Sequence, residues 1–144
     1  MKNIKKMHRA AGFLALLLIF TFLISTIITE FIGDYKLIGL TKKYILISIA
    51  GLILLMAATG LSGFRMTKKR DNIITRRKKS RIKIIGINGI LLSIFAAILY
   101  YKSSNAQYDN LFWTIQSLEI FFGTVNLILI ILMIRDGMRL SGKI

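Results

Sequence analysis

The feature that most constrains this chain is a basic stretch, Arg65 to Lys83 (RMTKKRDNIITRRKKSRIK), set between two pairs of apolar runs. Ten of its nineteen residues are Lys or Arg, and only Asp71 is acidic. The apolar runs cover about 10–32, 42–64, 84–101 and 111–134. Each suits the roughly 17–25 residues with which a helix crosses a ~30 Å hydrocarbon core. With 55% hydrophobic residues and a mean hydropathy of +0.65, the chain is too apolar for a water-facing surface. These observations predict an all-α integral membrane protein: one domain over 1–144, built as a four-helix transmembrane bundle.

Translocating many Lys and Arg residues is disfavoured, so a basic loop over 65–83 belongs on the cytoplasmic side. Four spans then bring both termini to that side as well. Seventeen Lys/Arg fall inside under this topology and four outside, the latter being Lys36, Lys42, Lys43 and Lys102. All five tyrosines and Trp113 lie at the opposite, outer ends, where an interfacial ring keeps its polar tip wet. The N-terminal MKNIKKMHR could imitate a signal peptide, but the run after it is long and ends without a small-x-small site, so a retained first helix is expected. Gly33 to Thr41 reads as a turn in which Thr41 caps the second span. The location implied is a multi-pass place in an inner, cytoplasmic membrane.

A net charge of +15 also suits a nucleic-acid binder. Here, however, the cations cluster at span ends and in one loop, without stacking aromatics among them. They fit topology and attraction to anionic lipid headgroups better, with Arg76, Arg77, Lys78, Lys79 and Arg81 as the candidate headgroup site. Cysteine is absent, which excludes disulfides and thiolate metal sites; proline is absent too, so glycine is the one remaining helix breaker.

In lipid, helices associate through small residues and polar contacts. On a helical projection Gly86, Gly89, Ser93, Ala96, Ala97 and Tyr100 share one side of the third span, and Tyr44, Ser48, Gly51, Ala58 and Ser62 one side of the second. Both stripes read as inward, close-packed seams. Asn88 projects away from the stripe on its own helix and implies a second contact surface.

The sharpest chemical signal is Gln116, Glu119, Gly123 and Asn126, an arc of roughly 80° on the fourth span. Glu119 lies roughly 13 Å inside the outer boundary at the helical rise. There its carboxyl must be neutral, hydrogen-bonded or paired. It reads as a packing residue partnered by Gln116, as a proton or cation site, or as a ligand-orienting group. Thr26, Glu30, Tyr44 and Ser48 are placed to share an outward-facing polar pocket with it. Elsewhere the chemistry is sparse. The single histidine, His8, stands beside Arg9 at the inner edge of the first span, and neither a metal nor another cofactor is expected.

Several segments resemble uncharacterised bacterial four-span membrane proteins: His8, Arg9 and Gly12 as HRxxG; Thr59 to Phe64 as TGxSGF; Asn88 and Gly89 as NG; Gln116 and Glu119 as QxxE; and Arg135 to Gly142 as RDGxRLxG. A weaker similarity, carried by HRAAG, is to the cytochrome b anchors of succinate dehydrogenase, where such a segment lies near the quinone site. The leading expectation is a non-enzymatic accessory, scaffolding or assembly protein, packed against a membrane partner or itself. The alternatives are an ion-coupled carrier using Glu119 and Glu30, and a quinone or haem anchor using His8 and Arg9.

Overall fold

The computed structural model describes residues 2–67 and 73–140. Lys68, Lys69, Arg70 and Asp71 of the basic stretch, and Gly142 and Lys143 of the tail, lie outside the described residues. The described residues are all-α, with four helices: α1 (Lys2–Ile32), α2 (Tyr35–Thr67), α3 (Ile73–Ser104) and α4 (Asn110–Leu140). Each is long and apolar enough to cross a membrane. At 31–33 residues they run to nearly 50 Å, well beyond a ~30 Å hydrocarbon core.

That overrun changes the reading of the basic stretch. Arg65 closes α2, and residues 73–83 form the first turns of α3 rather than a loop. Lys and Arg are good helix formers, and once a helix is fixed in lipid they extend it while their stems reach outward. The turn expected at Gly33 to Thr41 is likewise shorter. Gly33 ends α1 in the left-handed region (φ 74°) and donates its N–H to the Thr29 carbonyl at 3.1 Å. Asp34 then starts α2, its Oδ1 accepting from the Lys36 and Leu37 N–H groups at 2.8 and 3.4 Å. Thr41 is therefore inside the helix and caps nothing.

The helices form a ring in which α1 meets α2 and α4, and α3 meets α2 and α4. Among the described residues, neither diagonal pair makes a close backbone approach. Two apolar clusters close the ring. Ile38, Leu99, Phe112 and Ile115 sit near the α1–α2 and α3–α4 turns, with Tyr108 and Phe95 packed on them. Ile19, Ile85 and Ile130 lie farther toward the basic end, with Leu52 and Met56 against them. Tyr35 stacks on Tyr108 with ring centroids 4.3 Å apart, and the Tyr108 hydroxyl donates to the Tyr35 carbonyl at 2.8 Å, joining the two turns.

The small-residue seams turn inward only in part: Ser62 and Ala96 are buried, whereas other members of the stripes are not. On α2, Tyr44 and Gly51 are exposed, and the buried face carries Ile38, Lys42, Ile45 and Ser62. A Cβ built on Gly51, Gly86 or Gly89 would meet nothing within 4 Å. On α3 the buried face passes through Ile85, Asn88, Ala96 and Leu99, which explains Asn88 as a core residue. Small side chains permit close packing; which face turns inward was decided by larger and charged groups.

Candidate functional site

Because the diagonals stay apart, the bundle surrounds a partly open chamber of about 400 Å³. All four helices contribute to it: Phe22 and Thr26 from α1, Ile49 and Met56 from α2, Gly89 and Ser93 from α3, and Glu119, Gly123 and Asn126 from α4. The wall is mostly apolar. Its polar groups fall on the α4 stripe that the sequence singles out, with Thr26 and Ser93 added from neighbouring helices.

Lys42 stands at the turn-side end of this chamber and is only 1% exposed. Its Nζ lies 2.6 Å from Glu119 Oε2 and donates also to Thr26 Oγ1 at 3.3 Å. Gln116 Nε2 donates to the same Glu119 oxygen at 3.0 Å. The Lys42–Glu119 pair thus bridges α2 and α4 across the ring's diagonal, with α1 joined through Thr26. Glu119 is paired, one of the states its depth requires; its partner is a lysine assigned by the charge pattern to the outer flank.

No sequence signal marked this lysine. As the first residue of the span expected over 42–64, Lys42 lies eleven residues, about three turns, before Ile53 at its middle, at the edge of a ~30 Å core where a lysine stem reaches headgroups. In the structure α2 begins two turns earlier, at Tyr35, which sets Lys42 level with Glu119. Glu30 lies near enough to both members of the pair to interact electrostatically. Its Oε1, like Gln116 Oε1 and Asn126 Oδ1, is buried without a hydrogen-bond partner among the described residues. Ser48 is partly exposed, and both it and the exposed Tyr44 lie outside the chamber lining.

At the basic end the five proposed headgroup cations divide into two sets. Arg81 pairs with Asp136, which is buried, joining α3 to α4. Lys78 Nζ lies 3.5 Å from the position a Cβ on Gly137 would take, so this side chain also folds onto α4. Arg76, Arg77 and Lys79 remain exposed. The inward set exists because Asp136 supplies a buried anion, which gives Arg81 a partner inside the protein.

His8 is not simply an interfacial side chain. Its Nδ1 lies 3.1 Å from the Thr59 carbonyl oxygen and 2.9 Å from Ser62 Oγ, tying α1 to α2. Gly63 makes this possible: a Cβ there would come within 3.3 Å of the imidazole. Arg9 is exposed and donates from Nε to the Lys5 carbonyl on its own helix. The TGxSG segment on α2 is thus a seat for the histidine.

Compared with protein-family models, curated proteins and solved structures, the chain matches none of them.

Proposed function

We propose that this is a non-enzymatic membrane protein that holds a small, predominantly apolar molecule inside its helix bundle. The chamber carries the reading: about 400 Å³ is within the ~300–1,000 Å³ range of small-molecule pockets, and an apolar wall with a few placed polar groups is typical of such sites. Occupancy replaces the expected close packing as the role of Gly86 and Gly89, which border open space. In this reading the Lys42–Glu119 bridge sets the spacing of α2 and α4 and so keeps the chamber open. The protein serves as an accessory that binds its molecule without transforming it. Its proposed location is the bacterial cytoplasmic membrane with both termini inside. Lys42 and Lys102 support that orientation, because two of the four outer cations are paired within the protein, with Glu119 and Asp109.

Native mass spectrometry of the protein from a mild detergent tests the proposal. Wild type should carry a bound small molecule, and Ser93→Leu with Gly89→Leu, which fills the chamber, should lose it. A ligand-free wild type, or equal retention by a folded filled variant, would overturn the reading.

A second reading, ion-coupled carriage, is favoured by the buried, unpartnered oxygens of Glu30 and Gln116 near the bridge. Substrate flux that survives Glu119→Gln unchanged would remove it.

A further inference from the structure

The chamber has a side opening. Between α2 and α3 its wall is made by Ile53 and Ala57 on one helix and Gly86 and Ile90 on the other. These residues also face outward: Ile53 is 56% and Ile90 68% exposed, and Ala57 and Gly86 are exposed as well. Residues that line an internal space and the outer surface together mark a gap in the wall. Ala57 and Gly86 leave it unfilled, with nothing within 4 Å of a Cβ built on Gly86. Ile53 is at the middle of the span 42–64, and Ile90 is close to the middle of 84–101. The gap therefore opens on the centre of the hydrocarbon layer, where neither water nor a charged headgroup resides.

The wall specifies what such a gap admits. The Lys42–Glu119 pair is already neutral as a unit and the neighbouring Glu30 lies outside the chamber lining, so a charged ligand would bring an uncompensated charge into low dielectric. Asn126 is 3% exposed, lines the chamber and has an unpartnered Oδ1, an acceptor lacking a donor. Both described hydrogen bonds to Glu119 fall on Oε2, so Oε1 is a further acceptor without a described donor. A buried acceptor left unmade costs about 1–3 kcal/mol, and a donor on the ligand relieves that penalty.

We infer that the chamber takes a neutral, hydroxyl-bearing, single-chain amphiphile, admitted sideways from the bilayer centre through the gap between α2 and α3. This rests on the proposed binding role and adds the ligand class and the route. The chain fills the apolar wall formed by Phe22, Ile49 and Met56. The hydroxyl donates to Asn126 Oδ1.

Photolabelling of the full-length protein in zwitterionic nanodiscs tests this, using a long-chain primary alcohol with a diazirine in the chain and the matching diazirine alkane, mapped by peptide mass spectrometry. The alcohol should label chamber residues, and unlabelled alcohol should compete about fivefold better than the alkane of equal length, as one net hydrogen bond predicts. Asn126→Leu should abolish that preference while alkane labelling persists. Gly86→Ile and Ala57→Leu, on separate helices, should each reduce chamber labelling several-fold, and either one that folds suffices. Equal competition by the alkane overturns hydroxyl recognition but leaves chamber binding intact. Wild-type labelling of a folded gap variant overturns the route. A long-chain fatty acid that outcompetes the alcohol overturns the neutral ligand. Absence of chamber labelling by either probe overturns this inference and the binding role together.

Discussion

Lys42 Nζ and Glu119 Oε2 are 2.6 Å apart although they belong to α2 and α4, helices that face each other across the ring without close backbone approach. A buried ion pair offsets much of its own desolvation, and its net stabilisation can be small. Removing one partner differs, because it leaves the other charge buried alone. The bridge therefore fixes the relative rotation of two helices more effectively than it adds stability.

Single substitutions Lys42→Met and Glu119→Leu should each destabilise the fold by about 3–5 kcal/mol, and the double substitution should recover most of that loss. A double-mutant cycle from reversible unfolding in mixed micelles measures the coupling. Additive losses would show that the pair does not act as a unit.

The two sets of basic residues should separate by readout. Neutralising Arg77 and Lys79, which are exposed, should reduce retention of anionic lipid, at about 1 kcal/mol per cation near a charged surface. Replacing Arg81 should instead lower thermal stability by orphaning Asp136, with lipid retention nearly unchanged. Lipid analysis of purified variants beside their melting curves distinguishes the two.

Asp109 predicts an acid response at the start of α4. Its carboxylate accepts from Lys102 Nζ at 2.8 Å and from the Phe112 N–H at 2.9 Å, and these bonds hold its pKa below the ordinary 3.8. A depressed folded value means that the contribution is complete above the unfolded pKa and is lost as pH falls through the folded one. The first turn of α4 should then loosen only below the usual carboxylate range. Trp113, in that turn, reports it by fluorescence; Asp109→Asn, which cannot ionise, should flatten the response.

Glycines one and two turns from the basic end of α2 should respond in opposite directions. Gly60→Ala meets open space and should stabilise by up to about 1 kcal/mol through helix propensity. Gly63→Ala places its methyl 3.3 Å from His8 Cε1, so the ring must yield; Gly63→Leu should displace it from Thr59 and Ser62. The imidazole NMR signals, together with unfolding curves, check both.

The sequence by itself determined the number of helices, their membrane-spanning character and the stripe Gln116–Glu119–Gly123–Asn126. Those properties are local: hydropathy over a span and spacing along one helix suffice to express them. It also required Glu119 to be neutral, hydrogen-bonded or paired, since a carboxylate at that depth cannot remain solvated. Only the tertiary structure decided that the partner is Lys42, that α2 turns Tyr44 and Gly51 outward, and that Arg81 closes on Asp136. Rotation of a helix about its axis depends on what its neighbours present, and charge pairing across the bundle outweighed the weaker preference of small residues for close contact. The basic stretch Arg65–Lys83 shows the same division. Its charge was legible as an orienting feature, whereas the helical course of 73–83, with Arg81 and Lys78 folded onto α4, came from contacts that sequence spacing does not reveal.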